Sequence, residues 1–394
     1  MHGTASNTRK IFINYDTTST GIAPNTIIAK FPLPSSQSTV KDVDLIRDLR
    51  AGKIEVQFYD MNIDSPILPK TYYTKVNEAQ DYLILMEDCA PQQPTEKKGD
   101  QKVVMQVVGM DKAKVAVSEI AKFHAMYYHR ASVSRLKHVR DSRAGNFDQF
   151  MHNRGLSWVP EEYCKNYSFL MMSYGNTVSN ALGGYNLHTL ELIGEKFQEA
   201  WSNVSSFIEN TDLNNFGLQD LDIPDKLNYL NKSEISARQR YINALKFNTE
   251  LAPQTLTHCD FRSDNMFFVD NDKSIKVFDW ANLSLNNGLY DVADFAHTSL
   301  SVEDVTTKDD LLLRWYADGL RSAGIDWIDV DEILQCYRES IWHFLPISMM
   351  FFRIAKSTPP GGMMMGCSRE VILGKFLTMV SCLIHNIAKL EGSR

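Results

Sequence analysis

The stretch "LTHCDFRSDNMFFVDNDKSIKVFDWAN", Leu256 to Asn282, sets His258, Asp260, Asn265 and Asp279 among short apolar runs. "MFFV" and "IKVF" are two of those runs, and the intervening "DNDKS" carries the Asp and Asn residues that favour reversal, so the spacing predicts a β-hairpin. Asp260 and Asn265 then fall in the loop before its first strand, and Asp279 directly succeeds the second. All three are expected at one end of the hairpin.

The chain around this stretch has 394 residues, more than one hydrophobic core usually supports, so two lobes are expected. Its 44% hydrophobic and 23% charged residues are those of an ordinary globular protein. A formal net charge of −7 offers no electrostatic footprint for the phosphate backbone, so no nucleic acid partner is expected. The basic stretch Arg130 to Arg143 reads as a solvated face. Six cysteines (Cys89, Cys164, Cys259, Cys336, Cys367, Cys382) lie far apart without a C-x-x-C pair, which suits a reducing, cytoplasmic setting. The apolar runs "FLPISMMFF" and "LTMVSCLIH" are too short for a membrane span, and none is expected.

Alternation in "RKIFINYD", "NTIIAKF", "TYYTKV" and "DYLILMED" predicts strands, with a polar helical stretch between the second and third. From Val103 the period changes. "DKAKVAVSEIAKFHAMYY" places Val115, Ile120, Phe123 and Met126 along one helical face, and four further long segments, from "LHTLELIGEKFQEAWSNVSSFI" to "REVILGKFLTMVSCLIHNIAKL", continue that reading. The fold class is therefore α+β: a small strand-rich lobe over residues 1–88 and a large helical lobe over residues 89–394. Met363 to Met365 read as a loop, and His124 and His297 as core histidines that are hydrogen-bonded.

Phosphoryl transfer needs a carboxylate to orient and deprotonate a hydroxyl, and oxygen ligands for magnesium ions that bridge phosphates. Asp260 can supply the first, and Asn265 and Asp279 the second. His258, first in the loop, is expected to brace its backbone. A metal-dependent hydrolase built on His258, Asp260 and Asp279 lacks a second histidine at a supporting spacing.

With H-x-D-x-x-x-x-N and then "FDW", the sequence resembles the protein-kinase-like superfamily, and within it the aminoglycoside and choline phosphotransferases. "EVQFY" at Glu55, "LILMED" at Leu83, "GDQ" at Gly99 and "FHAMYY" at Phe123 further resemble landmarks of the ecdysteroid-kinase-like (CHK-kinase-like) family. The resemblance implies a protein-kinase-like two-lobe fold, ATP and Mg2+ as cofactors, and a small-molecule hydroxyl acceptor. It implies Asp260 as catalytic base and Asn265 and Asp279 as magnesium ligands. Lys30 would be the strand lysine on the α/β-phosphates with Glu55 as its partner, although Asp42, Asp44 and Asp48 compete for that position. Met86, Glu87 and Asp88 would form the adenine-binding hinge. Asp291 in "GLYDVADFA" would cap a helix and steady the catalytic loop, with Asp294 facing solvent and Asp100 reaching the cleft.

The sequence departs from that pattern at its start. The phosphate-binding loop is expected at "GTASNT", Gly3 to Thr8, with one glycine and no first strand before it. An N-terminal lobe without its first strand is expected to bind ATP poorly and to expose a sheet edge. A nucleotide-binding pseudokinase is the alternative reading. No A-P-E segment comes after Asp279, which favours a small acceptor over a peptide.

Overall fold

A computed structural model describes residues 6–15, 24–32, 51–77, 81–90, 106–128, 187–357, 359–364 and 367–392. Gly3, Asp42, Asp44, Asp48, Asp100, the Arg130 to Arg143 stretch and Met365 lie outside them.

Two compact units emerge, one of residues 1–98 with 265–283, the other of residues 99–264 with 284–394. The hairpin therefore groups with the N-terminal residues, where a division at residue 88 would place it with the helices. Its reason is local bonding. The Val277 N–H donates to the Ile67 carbonyl at 2.7 Å, and Lys276 Nζ to the Leu68 carbonyl at 2.8 Å.

In the first unit, β1 (Ser6–Phe12), β2 (Thr26–Pro32), β3 (Thr71–Val76) and β4 (Tyr82–Glu87) form an antiparallel sheet in the order β1-β2-β4-β3. The register sets Lys30 opposite Thr8 on one side and Ile84 on the other, deep in the sheet. Ser6, Asn7 and Thr8, expected in a phosphate-binding loop, instead begin β1. This strand is an edge of the sheet, and it leaves Ile11 40% and Phe12 75% exposed.

Among the described residues of this unit, the helix α1 (Ala51–Asp60) buries Ile54, Glu55, Val56, Phe58 and Tyr59. Consecutive buried positions mean that it is covered on more than one side. Phe58 stacks on Trp280, ring centroids 4.4 Å apart, so the helix is anchored to the turn just beyond the hairpin.

The hairpin pairs β6 (Met266–Val269) with β7 (Ser274–Val277), antiparallel. Asp270, Asn271 and Asp272 carry φ of 54°, 57° and 64°. Asn and Asp accept that left-handed backbone more readily than other side chains, which is why "DND" closes the turn.

The second unit is helical. It holds α2 (Met110–Ala125), α3 (Leu187–Glu209), α4 (Ile223–Lys232), α5 (Ala237–Lys246), α6 (Leu289–Ser299), α7 (Val302–Thr307), α8 (Asp309–Ser322), α9 (Val330–Ser357) and α10 (Arg369–Leu390). The short pair β5 (Gln254–Thr257) and β8 (Ser284–Asn287) brackets the stretch between them. A two-residue pair, β9 (Met363–Met364) with β10 (Cys367–Ser368), replaces part of the expected methionine loop.

Every residue of α6 is buried, so this helix has no solvated face. The 22-residue α10 is long and apolar enough to cross a membrane, which corrects the expectation that no stretch reaches that length. Within the fold, 67% of its most apolar window is covered by protein, and its buried Asn386 donates to the Val305 carbonyl at 3.0 Å. This is the pattern of a core helix.

Candidate active site

Lys30 rises from β2 into a carboxylate pair. Its Nζ lies 2.7 Å from Glu55 Oε2 and 2.5 Å from Asp279 Oδ1, with the lysine 7% and Glu55 0% exposed. Burial works to strip the lysine of its proton, but the charges of Asp279 and Glu55 override it and hold Lys30 cationic far above its ordinary range. Glu55 responds the other way. Burial pushes its carboxyl up to about 7, opposed by Lys30 and reinforced by the neighbouring charge of Asp279. One cation shared between two carboxylates neutralises neither completely.

Because Glu55 titrates near 4.5 when unfolded and near 7 when folded, the folded state holds the extra proton across that window. Stability contributed by this group is present below about 4.5 and is lost as pH rises toward about 7. Glu55→Gln is expected to flatten the slope of denaturant stability against pH between those values; an unchanged slope contradicts the assignment. Lys30→Met leaves Glu55 buried without its cation and is expected to cost about 3 kcal/mol, read as a lower urea midpoint. Combining it with Glu55→Gln should recover most of that loss, and strict additivity would show that the two side chains do not interact.

Asp279 adopts φ of 69°, a left-handed conformation that costs a non-glycine residue about 1 kcal/mol or more. The strain turns the chain out of the hairpin directly into the Trp280 to Asn282 turn. At the same end, the Phe278 N–H donates to the Asn265 carbonyl at 3.0 Å, so Asn265 and Asp279 flank one closed hairpin mouth, as their sequence positions imply. An amide oxygen and a carboxylate oxygen are hard donors of the kind magnesium takes, the remaining positions going to phosphate and water. The donor set fits that ion.

Of the expected hinge residues, Met86 is a buried ladder residue opposite Ile28 and Thr71. Glu87 uses its N–H on the Lys70 carbonyl at 2.8 Å and accepts the Lys70 N–H at Oε2, 3.1 Å away. That N–H is committed to the protein, which removes it from the donors expected for a base. Asp88 pairs with Lys10 Nζ at 2.6 Å; burial opposes its ionisation, but hydrogen bonds from Lys10 and Thr26 prevail and hold its carboxyl below the usual range.

The loop residues before the hairpin, His258 to Asp264, belong to the other unit and have their own support. Asp291, near the start of α6, accepts the His258 N–H at 2.7 Å and the Cys259 N–H at 2.8 Å with its two oxygens. His124 Nε2 donates to it at 3.1 Å, and His124 Nδ1 meets the Tyr316 hydroxyl at 2.9 Å. A Cβ at Gly288 would overlap the His124 ring and the Tyr128 and Tyr316 hydroxyls, so glycine is what lets α6 begin so close to them. Asp291 therefore does not cap α6, whose N-cap is Gly288 without a side-chain cap, whereas the loop-steadying part of its expected role takes the form of a clamp on the loop backbone.

Within the loop, Cys259 sits at φ of 58°, its Sγ 3.1 Å from Thr257 Oγ1 and 3.0 Å from Ser284 Oγ. His258 Nδ1 accepts the Asp260 N–H at 3.2 Å, a bracing contact. Asp260 itself is 29% exposed at its side chain, with Arg262 Nε 3.0 Å from its Oδ1. Arg262 Nη1 continues to Asp264 Oδ2 at 3.2 Å, and Ser263 N–H donates to Ser299 Oγ at 2.9 Å. The loop is therefore stapled to both ends of α6.

Two residues of this site are not apparent from the sequence. Arg262 carries no expected role; its signal is the alternation of Asp260, Arg262 and Asp264, which places one cation between two carboxylates. Asp294, expected to face solvent, is 2% exposed in α6, because no face of that helix reaches solvent.

Among the described residues no three His, Cys, Asp or Glu side chains are grouped to hold a metal, so the hydrolase reading gains no support. Residues 205–327, a span that carries Asp260, Asn265, Asp279 and Asp291, match the model of the phosphotransferase enzyme family (APH). No curated protein matches the sequence. Among solved structures, the chain is similar to an ethanolamine kinase from Plasmodium vivax at 12% identity and a TM-score of 0.42, covering 91% of this chain and 75% of that one. It is also similar to the amicoumacin kinase hAmiN in complex with AMP-PNP, Ca2+ and Ami, at 10% identity and a TM-score of 0.44, covering 97% of this chain and 86% of that one.

Proposed function

We propose that this protein is an ATP-dependent O-phosphotransferase that moves the γ-phosphate of ATP to a hydroxyl of a small molecule. The observation that carries the reading is the buried Lys30 held between Glu55 and Asp279. A cation rooted in a strand and fixed by two carboxylates is expensive to bury, and phosphate binding gives it a use. The phosphotransferase match over residues 205–327, a span that includes Asp279, supports the same chemistry.

In this reading Lys30 contacts the α/β-phosphates and Glu55 holds it in place. Asn265 and Asp279 would hold magnesium, which would supply neutralisation of the phosphate charge. Asp260 orients the acceptor hydroxyl and takes its proton, while Arg262 fixes the carboxylate that does so. The ecdysteroid-kinase-like group is the proposed family, on the motifs at Glu55, Leu83 and Phe123.

The short path of the chain beyond Asp279 favours a small acceptor over a peptide. The Trp280 to Asn282 turn leads straight into β8, which pairs with β5, and α6 begins at Leu289. No long segment is left to dock a peptide there. Calorimetric titration with Mg-ATP tests the nucleotide half: saturable binding is expected for the unsubstituted protein and a large loss of affinity for Lys30→Met. Equal affinity in the two would remove Lys30 from the phosphate site.

A further inference from the structure

Asp294 is a buried acid with one oxygen, Oδ2, that has no hydrogen-bond partner among the described residues. It stands three residues after Asp291, on the same side of α6, since residues i and i+3 are helix neighbours. Asp291 clamps the N–H groups of His258 and Cys259, and Asp294 receives the N–H of Phe261, the residue directly after Asp260. Successive carboxyls of one helix thus hold the loop on either side of the proposed base.

We propose that Asp294 is a positioning residue that acts through Asp260: it secures the peptide after the base and sets a buried carboxyl beside it. This rests on the reading of Asp260 as base. The charged groups that bear on Asp294 are Asp260 and Arg262 from the loop and Asp291 from its own helix. Burial chiefly, then the charge of Asp260, pushes the Asp294 carboxyl well above the usual range, with Arg262 opposing. Two neighbouring carboxylates do not both ionise readily when one is dry. Loss of the Asp294 proton at alkaline pH would put a second negative charge beside the base and oppose the approach of phosphate.

The test reads phosphate release from Mg-ATP against pH, with infrared detection of protonated carboxyl in 13C-aspartate-labelled protein. A bell-shaped rate profile is expected, whose alkaline limb disappears in Asp294→Asn while its acid limb stays. The infrared band of a protonated acid at neutral pH should be lost in the same variant. Asp294→Ser carries the same comparison if the Asn variant does not fold. A rate that falls equally at all pH values, or a band that Asp294→Asn leaves in place, overturns the proposal while Asp260 keeps its role. Undiminished turnover in Asp260→Asn overturns both.

Discussion

Asp260→Asn is expected to lower phosphotransfer by about 10²–10⁴-fold while leaving Mg-ATP affinity essentially unchanged. The amide keeps the size of the carboxylate and can still meet Arg262 Nε, which lies 3.0 Å from Asp260 Oδ1. It cannot accept a proton from the acceptor hydroxyl. Because the Asp260 N–H bond to His258 Nδ1 and the backbone clamp by Asp291 do not use its side chain, the loop should keep its shape. The loss therefore belongs to kcat. A variant that retains turnover, or that loses nucleotide affinity in the same proportion, would show that Asp260 is not the base.

Asp291→Ala is expected to be the most destabilising single change in the site, at about 3–5 kcal/mol. It strands the backbone N–H groups of His258 and Cys259 and the Nε2 of His124 in a buried setting. Each orphaned buried donor costs about 1–3 kcal/mol. Asp291→Asn keeps one acceptor oxygen and should lose roughly half as much, a graded pair that urea denaturation resolves. A loss below about 1 kcal/mol for Asp291→Ala would mean that water takes over the clamp, and that α6 does not hold the loop.

The hairpin is legible in the sequence because its signals are local. Two apolar runs and a turn of Asp and Asn suffice to place Asn265 and Asp279 at one mouth, and the three consecutive left-handed residues Asp270, Asn271 and Asp272 explain why those letters stand there. The Lys30–Glu55 pair is legible only through resemblance, since nothing in "TIIAKF" or "EVQFY" says that strand and helix meet. Burial of polar residues is the harder property to read. Gln254, Thr255 and Thr257 make β5 a mostly polar strand that is nonetheless buried throughout, because its side chains find internal acceptors, Thr255 on the His124 carbonyl and Thr257 on the Ser284 carbonyl. The burial of Asp294 is hidden for the same reason: helical periodicity assumes one wet face, and α6 has none. The run "LTMVSCLIH" looks short by itself, whereas α10 carries it on past the buried Asn386 to Ile387 and Ala388, also buried.

Transfer of label from γ-labelled ATP to a component of a crude small-molecule extract, run with the unsubstituted protein and with Asp260→Asn, tests the proposed activity most directly. A labelled phosphomonoester that forms with magnesium, resists peptide-directed proteases and is absent with Asp260→Asn is the predicted result. Saturable Mg-ATP binding with no labelled product from any extract would contradict it and identify a nucleotide-binding protein that transfers nothing.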